Sequence, residues 1–147
     1  MTRRDWLLLL VALDGEGAGL DPIRIQKGLF LLAQEGRLPG AERYRFVAYN
    51  YGPMSPGVYR DVELMVRRGL LERRAVDGQS WRQVCATRRG HERARGLQAR
   101  AGGREAADLV RLRRIRRLIG GLDFTRLLLT IYERYPAYAA RSVFRRP

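Results

Sequence analysis

The sequence predicts a mainly α-helical protein with a small β-hairpin: a winged helix-turn-helix followed by extra C-terminal helices. Two helix starts carry the first part of that expectation. Asp21-Pro22 and Ser55-Pro56 each set a capping side chain before a proline, which suits a first helical turn because no N–H is needed there. The hairpin rests on Asp77-Gly78, a tight-turn pair flanked by residues 70–76 and 81–87. Helix, short strand, helix and hairpin is the succession of a winged helix.

Taken in order, the chain first offers an apolar run from Trp6 to Leu13. It is too short to span a bilayer. Arg3 and Arg4 ahead of it and Gly17-Ala18-Gly19 behind imitate a secretory leader, but Asp14 and Glu16 intervene, and a first domain helix is expected. Residues 15–19 read as a flexible connector. Over 23–35, Ile25, Leu29, Leu32 and Ala33 form one face, while Ile23, Phe30 and Leu31 spread apolar surface round the rest. Such a helix is buried on nearly every side. Gly36 and Pro39 end it. Residues 44–51 are aromatic and β-branched enough for a short strand, and Gly52-Pro53 is expected to turn the chain. The helix 56–68 directs Val58, Val62, Met65 and Val66 inward and stops at Gly69.

Beyond the wing, Thr87 can cap a helix through Gln98, and Gly102-Gly103 marks an internal boundary. Residues 1–101 are expected to form the winged-helix domain, and 102–147 a helical extension packed on it or on a second copy. Over 104–119, Leu109, Leu112, Ile115, Leu118 and Ile119 share a stripe. Gly120-Gly121 is expected to break that helix. Asp123 then caps a last one, with Phe124, Leu127, Leu128, Ile131 and Tyr135 inward and Pro136 as its end. These stripes exceed what one small winged-helix body readily covers, so a homodimer through the first helix or the helices after Gly103 is expected.

Four stretches also resemble a known family. Gln-Lys-Gly-Leu-Phe-Leu-Leu (26–32), Tyr-Gly-Pro-Met-Ser-Pro-Gly-Val-Tyr-Arg-Asp (51–61), Thr-Arg-Arg-Gly (87–90) and Ile-Tyr-Glu-Arg-Tyr-Pro-Ala-Tyr (131–138) occur in the order seen in YwgA-like proteins. The pattern is similar to the Panacea (SocA-like) domain of bacterial and phage antitoxins. That resemblance implies a non-enzymatic protein that binds a cognate toxin, or regulates a toxin or phage-defence operon.

Charge is the strongest compositional signal, with 29 basic against 15 acidic side chains and a net charge of +14. Residues 1–70 hold 10 basic and 8 acidic side chains, whereas residues 71–147 hold 19 and 7. The asymmetry points to a polyanionic partner, nucleic acid first and an acidic protein second. At 147 residues the chain can bury a core without staples, and its single cysteine, Cys85, excludes a disulfide framework. A cytoplasmic protein fits best.

Tyr59, Arg60, Glu63 and Arg67 are the expected outward row of the helix 56–68, the element that would enter the major groove. Arg60 and Arg67 could reach base edges or phosphates, while Asp61 and Glu63 would repel them. Arg73, Arg74 and Arg82 flank the wing turn and could touch the DNA backbone. Arg111, Arg113, Arg114, Arg116 and Arg117 crowd the polar face of 104–119, and all but Arg116 are candidate nucleic-acid contacts. Lys27, the only lysine, is bracketed by apolar residues and expected to pair with Asp61 or Glu63. Lys27, Asp61 and Tyr51 are assigned structural or partner contacts. His91 sits among charges and reads as a solvated side chain. With one histidine and no clustered carboxylates or phosphate loop, no catalytic set, cofactor or metal is expected. Two functions remain: a DNA-binding regulator, or an adaptor for an acidic protein.

Overall fold

A computed structural model describes residues 1–15 and 18–144 of the chain. Glu16 and Gly17 of the expected connector lie outside the described residues. The first helix, α1 (Arg3–Ala12), begins with a capping box: Thr2 Oγ1 accepts from Asp5 N–H at 3.2 Å and the Asp5 carboxylate accepts from Thr2 N–H at 2.8 Å. Trp6 to Val11 are at most 1% exposed, so α1 is enclosed on every side from Trp6 onward. Trp6 Nε1 donates to Glu42 Oε1 at 3.0 Å, which satisfies the one polar group of that ring.

Gly19–Leu20 forms a two-residue strand, β1, not expected from sequence, and α2 (Pro22–Glu35) follows with Asp21 as its cap. Gly28 sits where α1 and α2 meet the long C-terminal helix. A Cβ there would lie 2.7 Å from Leu10 and 2.9 Å from Ile119. After a single 3-10 turn, Gly40–Glu42, the chain makes a small hairpin of β2 (Val47–Tyr49) and β3 (Gly52–Met54). This corrects the reading of Gly52-Pro53 as the turn. The reversal falls at Asn50-Tyr51, where Gly52 takes a φ of +88°, and Pro53 pairs opposite Ala48 in a two-stranded ribbon.

The third helix, α3 (Pro56–Arg67), ends in a Schellman arrangement: Gly69, at φ +75°, donates to Val66 O and Leu70 donates to Met65 O, each at 3.0 Å. Val58, Val62 and Met65 are buried as expected, and Val66 only partly. The wing strands β4 (Leu71–Ala75) and β5 (Arg82–Ala86) are antiparallel, and β1 adds to β5 through Gly19↔Cys85 and Leu20↔Val84. Sheet order is therefore β1-β5-β4. Gly19 is required at that crossing, because a Cβ would stand 2.5 Å from the buried Cys85 sulfur and 2.6 Å from Val84 O.

Three helices complete the chain: α4 (Arg88–Arg100), α5 (Gly103–Gly121) and α6 (Phe124–Arg134), with a terminal 3-10 turn at Pro136–Ala139. Thr87 and Asp123 cap α4 and α6, accepting from Gly90 N–H at 3.0 Å and Arg126 N–H at 2.8 Å. The helix α5 ends at Gly121, so the break falls at the Gly120-Gly121 pair as expected. Arg24 caps that end, donating to Ile119 O at 2.9 Å and Leu122 O at 2.8 Å. The helix α5 packs on α2, α4 packs on α1, and one apolar core runs through all of them. Leu109, Leu112, Ile115 and Ile119 are buried there, with Leu118 at its margin. The apolar stripes named as dimer surfaces are thus covered within the chain. Among the described residues no helix is long and apolar enough to cross a membrane.

Candidate nucleic-acid interface

The outward row of α3 falls where the sequence places it. Tyr59 is 48% exposed, and Arg60, Glu63 and Arg67 are exposed beside it. Asp61 corrects the sequence reading. It is buried, accepts from Tyr44 Oη at 2.8 Å, and pairs with Arg4 Nε at 3.1 Å and Arg3 Nε at 3.3 Å. Burial first, and then the Asp61 carboxylate, push the Tyr44 phenol far above its ordinary pKa. One of the two carboxylates expected to repel phosphates is therefore withdrawn from the surface.

Glu63 remains outside, but its charge is engaged. It meets Arg73 at 2.5 Å and Arg67 at 3.9 Å, which ties α3 to the first wing strand. Arg74 pairs with Glu72 of the same strand. Arg82 is exposed and makes no ion pair among the described residues. Of the three wing arginines, Arg82 is therefore the one with its whole charge available.

The α5 arginines do not form one patch. Arg111 is held by buried Asp108 at 3.1 Å, and Arg113 by Gln98 at 3.1 Å. Arg111 and Arg114 share a groove with Glu35 and Arg134. Arg117 lies by the wing instead, in a groove with Trp81 and Gln83. Arg116, counted with the polar face, is buried. It donates to Leu10 O at 3.1 Å and Gly19 O at 3.5 Å and pairs with Asp14 at 3.0 Å. The α1 C-terminus needs donors for its last carbonyls, and Arg116 supplies them.

A larger basic surface was missed. Arg4, Arg68, Arg89, Arg93 and Arg100 line a trough of about 870 Å³ between the start of α1, the end of α3 and α4. Asp5 and Glu92 offset part of that charge. Arg89, Arg93 and Arg100 recur at helical spacing, a signal present in the sequence, whereas Arg4 and Arg68 reach the trough only through the fold.

Three further assignments change. Lys27 is buried but has no carboxylate partner among the described residues, because Asp61 faces Arg3 and Arg4 and Glu63 faces Arg73 and Arg67. Its Nζ donates to Pro53 O at 3.1 Å, which anchors α2 to the β2–β3 hairpin. Burial pulls its pKa from 10.5 down to about 8, against a weak upward pull from Asp21. His91 is buried, not solvated, and its Nε2 has no hydrogen-bond partner among the described residues. Tyr51 is 43% exposed, and its ring meets Phe124 edge-on at 5.6 Å between centroids.

Lys27 makes a pH prediction. Between pH 8 and 10.5 the unfolded chain holds a proton on Lys27 that the folded chain has released, so stability rises with pH across that window. Relative to a Lys27→Met variant, the native protein is expected to gain up to about 3 kcal/mol between pH 7 and 10.5. Urea denaturation of both proteins across that range checks it. A difference that does not change with pH would refute the assignment. Tyr44 is common to both, so its own loss of stability above pH 10 cancels.

No protein-family model matches the chain, and no curated protein matches it.

Proposed function

We propose that this is a small basic winged-helix DNA-binding protein, a transcription regulator that lays α3 in the major groove and rests its wing on the backbone. One observation carries the reading: α3 keeps Tyr59, Arg60 and Arg67 outward while Asp61 is turned into the core. The Glu63–Arg73 pair supports it by coupling the reading helix to the wing. Autoregulation of a toxin or phage-defence operon is the finer form of the proposal, and it rests on the resemblance to SocA-like antitoxins.

A salt-titrated binding assay with genomic fragments tests it. Duplex DNA of arbitrary sequence is expected to bind weakly, with affinity falling linearly against log salt. Replacing Arg73, Arg74 and Arg82 together by alanine is expected to flatten that slope by about one to three contacts, with Arg82 contributing the full one. Arg67→Ala is expected to erode discrimination between sites by about 1–3 kcal/mol. Failure to enrich any fragment above random DNA would remove the regulator reading.

The adaptor reading is favoured by a different observation. The β2–β3 hairpin exposes Val47 at 53%, Tyr49 at 47% and Tyr51 at 43%. Three large apolar side chains on one short ribbon are a protein-binding surface in the making. The proposed homodimer has this hairpin available to it rather than α1. Sedimentation velocity of the same samples decides: a monomer at high micromolar concentration leaves the hairpin to a different protein.

A further inference from the structure

Where the N-terminus of α1 meets that of α3, Arg3, Arg4, Arg43, Arg45, Ser55 and Arg60 line a cleft of about 550 Å³ with no acidic side chain on its walls. Arg3 and Arg4 are fixed in place by buried Asp61, and the Arg3 guanidinium lies 4.9 Å over the Tyr44 ring. Arg43, Arg45 and Arg60 are exposed, and their guanidinium groups make no ion pair or hydrogen bond among the described residues. Guanidinium groups gathered this way repel one another unless an anion sits between them.

Ser55 is the independent sign of a ligand. It is 2% exposed, its N–H donates to Gln26 Oε1 at 2.9 Å, and its carbonyl accepts from Gln26 Nε2 at 3.0 Å. Its hydroxyl is left over. As the residue before α3 it would ordinarily accept from the first turn, yet it makes no capping bond and has no partner among the described residues. The hydroxyl stands 3.6 Å from where a Gly57 Cβ would be, and both residues line the cleft. Pro56 has no N–H, and the N–H of Gly57 belongs to the first turn, where no intrahelical acceptor exists. A hydroxyl and an amide on residues that line a basic cleft, beside the positive end of a helix dipole, are the donors that hold an anion's oxygens.

We propose that this cleft is a phosphate site. Ser55 Oγ and Gly57 N–H donate to the phosphate oxygens, and Arg43, Arg45 and Arg60 balance its charge. The phosphate is either a free one or a diester of a DNA backbone, and the site stands whether or not α3 reads sequence.

The test follows the Ser55 and Gly57 amide resonances in two titrations, one with inorganic phosphate and one with a short duplex lacking terminal phosphates. Saturable shifts are expected in at least one. Saturation by inorganic phosphate marks a free-anion site, and saturation by the duplex alone marks a backbone diester. In either case the Arg43→Gln/Arg45→Gln double variant is expected to bind at least tenfold more weakly, and Ser55→Ala several-fold more weakly. Arg126→Gln, on α6, serves as the control and is expected to bind as the native protein does. Ser55 Oγ and the Arg43 and Arg45 guanidinium groups make no bond within the described residues, so these variants keep the fold. No saturation in either titration, or saturation indifferent to the variants, overturns the proposal. Arg67→Ala leaves the cleft intact, so loss of site discrimination with retained phosphate binding distinguishes the two readings.

Discussion

Phe30→Ala is expected to lower stability by about 3–5 kcal/mol. The ring is 0% exposed and is the hub of an aromatic group: Phe46 at 5.4 Å, Tyr135 at 5.1 Å and Tyr138 at 4.6 Å between centroids, all edge-on. Those partners come from the approach to β2, the end of α6 and the final 3-10 turn. Truncation removes buried area and three edge-to-face contacts together, and it leaves a cavity bounded by separate segments. Phe30→Leu keeps much of the volume and is expected to recover more than half of the loss. Urea denaturation of the two variants checks this. A loss under 1 kcal/mol for Phe30→Ala would mean that the terminal turn does not depend on α2.

Arg116→Ala is expected to cost a similar amount, about 3–5 kcal/mol, despite removing a charged residue from a strongly basic chain. Burial pulls the Arg116 guanidinium pKa down, and Asp14 pulls it back. The change strips donors from Leu10 O and Gly19 O, so the end of α1 and the start of β1 both lose their tie to α5. Arg116→Lys is expected to rescue little, since one ammonium on a flexible stem cannot serve these acceptors in a fixed fork. Arg117→Ala, one residue on and exposed, is expected to change stability by less than about 0.5 kcal/mol. Equal effects at 116 and 117 in denaturant titrations would contradict the burial pattern.

What was legible in the sequence was local. Asp21, Thr87 and Asp123 each accept from an amide three residues on, so their helices announce themselves within one turn. The wing is equally local, because Gly78 at φ +75° marks the reversal and the two strands pair across it. Distant pairings were not legible. Asp61 finds Arg4 across 57 residues, and Arg116 finds Leu10 across 106. Strand β1 is two residues long and exists only through its register with β5. Charge density also misled about the site. The basic run of 111–117 is partly spent on Asp108, Gln98 and the core, while arginines scattered through the charge-balanced half converge on the cleft between α1 and α3.

The placement of α1 has a consequence for synthesis. This helix leaves the ribosome ahead of α2 and α5, yet its side chains are enclosed only once Gly28, Leu31 and finally Ile119 are in position. At ordinary elongation rates that interval is on the order of 5–20 s. Throughout it, a stretch reading Trp-Leu-Leu-Leu-Leu-Val has only part of its native cover, gaining α2 first, then α4, and α5 last. The nascent chain is therefore an obvious client for a chaperone until α5 emerges, and truncations before residue 119 should be recovered as aggregates rather than as soluble fragments.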